Sequence, residues 1–219
     1  MDKRKARIRP LRTLGDFEAC VDIQRVVWKH SDLDIIPVHQ FCVSAATGGI
    51  LLGAFAGATL AGYVYSFPAV LGKKHTQHSH HLAVRPEFQG DGLGKALKWA
   101  QREEALARGY DLVTWTYDPL QSRNANLNFH TLGVRSRTYL DNFYGETPSL
   151  ALEEGLPTDR LLVEWPIASK RVDDRVKGRA EPAGSADAVR VVEARPSGVY
   201  PDVAPPAPPF RPPGESPPG

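Results

Sequence analysis

"VRPEFQGDGLGKALKWAQRE", residues 84–103, carries three glycines within five positions, Gly90, Gly92 and Gly94, and runs straight into a helical pattern. Leu93, Ala96, Leu97, Ala100 and Ala105 fall on one side, and Gly109 stands just past the end, so the spacing predicts a helix over residues 92–108. The first turn of a helix has unpaired N–H groups and the positive end of the macrodipole. Glycines there let a large anion reach the backbone without interference from Cβ atoms. The stretch reads as a phosphate site between a strand ending near residues 84–86 and the helix; a glycine turn for tight helix–sheet packing is the plainer alternative. Two phosphate motifs are excluded. There is no GK[ST], and no early βαβ unit with GxGxxG and a following acidic residue.

Outward from this point the elements alternate. Residues 7–11 read as a short strand. Residues 13–28 read as a helix with an apolar face of Phe17, Cys20, Val21, Ile23, Val26 and Val27, and with Thr13 and Asp16 as cap residues. A second helix is expected over 34–46 with Pro37 in its first turn. Residues 50–70 hold no charge and have about the length of a membrane span, but Gly53, Gly57, Gly62 and Pro68 interrupt them. Two antiparallel strands, 50–55 and 60–67, joined by a turn at 56–59, fit that composition better. A strand over 74–84 precedes the glycine loop. Beyond the helix come a strand at 110–117, a helix at 120–132 closed by Gly133, and strands at 134–139 and 161–165. An antiparallel start with a βαβ unit in the middle argues an α/β architecture, a mixed sheet with helices on both faces.

The formal net charge of +2 over 219 residues, with basic residues in short clusters, argues against a nucleic-acid partner. Two cysteines, Cys20 and Cys42, without CxxC or metal spacing suggest free thiols and a reducing, cytoplasmic setting. No apolar core follows the basic N-terminus, so no signal peptide is expected. Of 19 prolines, 11 lie between Pro182 and Pro218. This divides the chain into a domain at 1–168 and a proline-rich, largely disordered tail at 169–219, with a short strand at 189–192 as a possible exception.

The Q-x-x-G-x-G of Gln89, Gly92 and Gly94, preceded by "LAVRPEF" at residues 82–88, resembles the coenzyme A motif of the GNAT acyltransferase superfamily. The order of elements is similar to that fold over residues 7–166. The resemblance implies three layers around a mostly antiparallel, twisted sheet splayed between its fourth and fifth strands. It implies acetyl-CoA or another acyl-CoA as co-substrate, with no metal. Its pyrophosphate would lie on Gln89, Gly90, Asp91, Gly92, Leu93, Gly94 and Lys95, with Asn124 near by, and its pantetheine arm along Leu82, Ala83 and Val84. The oxyanion donor it implies is the backbone N–H of Leu82 or Ala83. A homodimer is an expectation of the same kind.

The chemistry needs a base to free an amine from its ammonium, donors for the oxyanion, and a proton for the departing thiolate. In "HTQHSHHLAV", strict alternation puts His78, His80 and Leu82 on one face and His81 and Ala83 on the other. His78 stands where several GNAT enzymes carry a catalytic glutamate; His80 and Asp118 are further candidate bases, and a half-exposed histidine edge is the alternative. Many family members place a tyrosine where "FHTLGV" has Phe129, so the acid falls to His130, Tyr139 or Tyr144, or to water. Trp28 and Arg123 are candidate acceptor contacts, Arg123 suiting a carboxylate on an amino acid or on a succinyl-type acyl group. The expected partner is a small amine. An acyl-CoA sensor without turnover, and a protein acetyltransferase that docks through the tail, are the alternatives.

Overall fold

The computed structural model describes residues 6–28, 32–145 and 157–179, and the backbone of 194–195 and 202–203. Seven strands form one sheet in the order β1-β2-β3-β4-β5-β7-β6. They are β1 (Arg7–Pro10), β2 (Ile50–Ala56), β3 (Thr59–Leu71), β4 (Lys74–Val84), β5 (Val113–Tyr117), β6 (Arg135–Leu140) and β7 (Arg160–Trp165). All neighbours are antiparallel except β4 and β5, the two strands joined by a crossover helix.

Both faces of the sheet are covered. Phe17, Cys20 and Ile23 of α1 (Leu14–Trp28) and Phe41 of α2 (Val38–Ala46) pack on Leu51, Tyr63, Tyr65 and Ala83. Leu97 and Ala105 of α3 (Leu93–Ala107), Leu132, and Val172 of α5 (Lys170–Val176) cover Ile50, Leu52, Val64, Val113 and Trp165. Burial of Leu51 on one side and of Ile50 and Leu52 on the other explains the charge-free run at 50–70: it is the inner hairpin β2–β3. Among the described residues no helix is long and apolar enough to cross a membrane.

Local chemistry sets the boundaries. Thr13 and Asp16 form a reciprocal cap on α1: Asp16 N–H donates to Thr13 Oγ1 (3.1 Å) and Thr13 N–H to Asp16 Oδ2 (3.1 Å). The helix expected over 34–46 starts only at Val38. Pro37 is extended (φ −77°, ψ 161°) and forces Ile36 away from helical geometry, while the Gln24 amide clasps Ile36 N–H (2.8 Å) and Ile36 O (3.1 Å). The strand expected from 110 starts at Val113, because Tyr110 N–H closes α3 by donating to Ala105 O (3.0 Å). The helix expected over 120–132 is a single turn, α4 (Ser122–Ala125), followed by a π-helical stretch, Asn126–Leu132, that ends at Gly133 with φ +73°.

The expected boundary after residue 168 also shifts. Ser169 Oγ caps α5, whose Val172 is buried and whose Asp173 pairs with Arg102, so this helix belongs with the sheet. In the second unit β8 (Ala194–Arg195) and β9 (Asp202–Val203) pair antiparallel. The strand expected at 189–192 lies outside the described residues.

Candidate active site

The site begins where β4 and β5 part. They pair only at Gln77–Val113 and His78–Thr114, after which β4 runs on to Val84 with its inner edge unpaired among the described residues. Arg85 N–H donates to Ala61 O on β3 (2.9 Å), and the Ala83 carbonyl faces Gly62. By antiparallel alternation the N–H groups of Leu82 and Val84 therefore face the opening, and that of Ala83 faces β3. Of the two expected oxyanion donors, Leu82 is the one turned toward the cleft.

At the end of β4 a 3-10 turn, Pro86–Phe88, leads into the glycine loop. Gln89 is spent on structure: its N–H donates to Pro86 O (3.2 Å) and its Nε2 to Val84 O (2.9 Å). Among the described residues the N–H groups of Gly90 through Lys95 make no backbone–backbone hydrogen bond. Gly90 (φ +93°) and Gly92 (φ +78°) are left-handed with open space around each Cβ position. Their backbone conformation requires glycine; crowding does not. The packing explanation of these glycines therefore fails for Gly90 and Gly92, and an accessible row of amides remains.

A cleft of about 440 Å³ passes through the gap, lined from β4 by His78, Ser79, His80, His81 and Leu82, and from β5 by Trp115, Thr116, Tyr117 and Asp118. Trp28, Asp34, Tyr144 and Arg160 also line it, together with Gln121, Asn124, Leu127 and Asn128.

The histidines depart from strict alternation. Tyr65 pairs with His81 and Ser66 with Ser79, so His80 is the extra residue of a β-bulge. The bulge brings His78, His80 and His81 onto one side. His80 and His81 stack at 4.6 Å, Phe67 touches both His78 (5.4 Å) and His80 (5.7 Å), and Trp28 lies 4.6 Å from His81. Ser79 takes the opposite face, toward α3. His78 Nδ1 is 3.2 Å from Thr114 Oγ1 at the fork itself, and burial, reinforced by His80 and Lys98, lowers its pKa from 6.5 to about 4. The crowded cleft walls push His80 down as well, although its outer edge reaches solvent. Both are neutral near pH 7 and able to accept a proton. His81 Nδ1 is engaged with Tyr63 Oη at 2.9 Å.

The other candidates divide. Asp118 lines the cleft, but Oδ1 also accepts from Leu120 N–H (2.8 Å), closing the turn. Tyr144 lines it with Oη 3.0 Å from Thr116 Oγ1. Tyr139 is exposed, bound to Asp159, and outside the cleft; His130 is likewise exposed and outside. Arg123 is exposed beyond the lining, while Asn124 on the same turn faces it. Phe129 packs on Tyr117 (6.1 Å) instead of facing the cleft, because the wider π-helical stretch presents Leu127 and Asn128 there. Among the cleft residues that went unseen in the sequence are Tyr117, whose hydroxyl has no hydrogen-bond partner among the described residues, Arg160 and the buried Lys98.

A family model, Acetyltransferase (GNAT) family, matches residues 17–134, more than half of the chain. The chain belongs to the GNAT acetyltransferase family. It is an acyl-CoA-dependent acetyltransferase of that family, with an acceptor the match does not specify. The GNAT fold is also that of its structural neighbours. The ribosomal-protein-S18-alanine N-acetyltransferase of Escherichia coli aligns at TM-score 0.57 and 19% identity, over 75% of this chain and 96% of that one. The PaiA N-acetyltransferase of Thermoplasma acidophilum, in complex with coenzyme A, aligns at 0.55 and 16%, over 74% and 99%. A GNAT family acetyltransferase of Elizabethkingia anophelis with acetyl-CoA bound aligns at 0.56 and 19%, over 76% and 99%. No curated protein matches the sequence.

Proposed function

We propose that this GNAT protein moves a short acyl group from acyl-CoA to the primary amine of a small molecule, by direct attack in a ternary complex. The observation that carries the proposal is the coincidence, at one end of the sheet, of an unpaired β4 edge, a left-handed glycine loop with open amides, and a neutral histidine at the fork. Neighbours of the same fold hold coenzyme A or acetyl-CoA, which supports the same co-substrate here.

In this reading Gly90–Lys95 and the start of α3 hold the pyrophosphate, and Leu82 and Val84 pair with the pantetheine amides. Leu82 N–H stabilises the oxyanion. His78 takes the proton that the amine releases as its nitrogen bonds to the carbonyl carbon and the C–S bond breaks. Its low pKa makes it a weak base in the empty cleft, but the same desolvation also weakens the acceptor's hold on its proton. Tyr117 and Tyr144, the phenols that line the cleft, are the proposed acids for the thiolate. Asp34 and Asp118, which line the same cleft as the rings of Trp28, His80 and His81, suit an amine.

The test is calorimetric binding of CoA and acetyl-CoA, then an amine screen by free-thiol release. Binding that Gly92→Glu abolishes, with amine-dependent thiol release, is the expected result. Binding without turnover on any amine would leave a sensor, and no binding by folded protein would overturn the reading of the loop.

A further inference from the structure

Lys98 lies on the cleft side of α3, is 3% exposed, and lines the cleft floor. Its Nζ donates to Gln101 Oε1 (2.7 Å) and Ser79 Oγ (3.0 Å), and lies 3.7 Å from the centre of the Trp115 ring and 5.2 Å from that of Trp165. None of these partners is anionic. A buried lysine is ordinarily paired with a carboxylate, because an isolated ammonium out of water is strongly disfavoured. Burial pushes this one well below the ordinary lysine range.

The surroundings allow the amine to change partners. Ser79 Oγ and Gln101 already hydrogen-bond each other, through Gln101 Nε2 (3.1 Å) and Gln101 Oε1 (3.2 Å). They stay satisfied when Nζ turns away. Trp115 and Trp165 offer ring faces that favour a cation. Lys98 also sits one turn beyond the loop proposed for the pyrophosphate and beside Ser79, next to the fork residue His78. Arg123, the cation the sequence suggested for a carboxylate, lies outside the cleft, and Arg160, which lines it, donates to Asp159 O (2.8 Å).

We infer that Lys98 reads the far end of the acyl group, and that the cleft prefers an acyl-CoA whose chain ends in a carboxylate, for which Lys98 is the counter-ion. This rests on the reading of the cleft as an acyl-CoA site. An acetyl group is too short to present such an end, so the inference concerns the choice among longer acyl groups. It gives the floor residue a role in specificity without a part in bond making.

The experiment compares succinyl-CoA with butyryl-CoA, which have the same number of chain carbons and differ in the terminal carboxylate, with free CoA as reference. Calorimetric Kd values are measured for the wild type and for Lys98→Met. The expected result is tenfold or tighter binding of succinyl-CoA by the wild type, lost in Lys98→Met, which binds butyryl-CoA at least as well and CoA unchanged. Equal binding of the two thioesters by the wild type, or a preference that persists in Lys98→Met, would overturn the inference. So would an intact-mass shift showing the acyl group transferred onto Lys98 itself, since the amine would then be an acceptor. Should Lys98→Met not fold, Lys98→Gln is measured in its place by the same criteria. Failure of all three coenzymes, CoA included, would instead overturn the acyl-CoA reading beneath it.

Discussion

His78 and His80 are two residues apart on one side of β4, to which the bulge adds His81, yet their surroundings differ enough to separate their roles. His78 sits against Thr114 at the last β4–β5 pairing, whereas His80 stacks flat on His81. His78→Gln is expected to lower kcat by roughly 10²–10⁴-fold. The acid limb of its kcat/KM profile, which lies below the 6.5 of an ordinary imidazole, should disappear. His80→Gln should leave that limb in place; an unchanged profile in His78→Gln with a lost limb in His80→Gln would reverse the assignment. Of the two phenols, Tyr117→Phe is expected to slow thiol release, read as a loss in kcat that shrinks when the thioester carries a better leaving group. The glycines were legible from sequence because a left-handed position just before a helix is a local demand. Lys98 was not: on α3 it reads as one more polar residue, and only Trp115 and Trp165, brought in by β5 and β7, show it to be buried.

At the scale of elements, the caps and the β2–β3 hairpin were legible, whereas the bulge in β4 and the width of the π-helical stretch were not. The cap on α1 is written in Thr13-x-x-Asp16, and the structure adds Arg9, whose guanidinium donates to Asp16 Oδ1 (2.7 Å) and Oδ2 (3.1 Å) and holds the carboxyl well below its usual range. Asp16→Ala removes the cap, breaks the Arg9 ion pair and takes the acceptor from the backbone N–H groups of Arg12 and Thr13. It is expected to destabilise the fold by roughly 2 kcal/mol, measured by denaturant titration. The bulge at His80 is set by how β3 and β4 register across from one another, so alternation counted along β4 alone misplaces everything before it. The π-helical stretch Asn126–Leu132 has the same character: residues 120–132 read as one helix, and the extra width shows only when Leu132 and Val134 are packed into the core.

For the whole molecule the neutral histidines predict a direction of pH dependence. The folded pKa of His78 is about 4 and its ordinary value 6.5, so between them the unfolded chain binds more protons. Stability therefore rises with pH through that window and is lost as pH falls across it; His80, shifted the same way, adds to the slope. Asp16 acts lower, its contribution present above the ordinary 3.8 and lost as acid protonates it. Melting temperatures across this range should fall steadily toward acid, less so in a His78→Gln/His80→Gln double variant. The parting of β4 and β5 leaves this sheet with an edge strand in its interior, where a neighbour would ordinarily sit. In the proposed reading a co-substrate arm bearing two amides is the missing strand, and it binds only the folded chain. The protein should accordingly be most robust when its co-substrate is abundant. At a hundredfold excess over Kd the linkage is worth about 2.7 kcal/mol. Amide hydrogens of Leu82 and Val84 should become slow to exchange on binding, while that of Ala83, already turned toward β3, should change little.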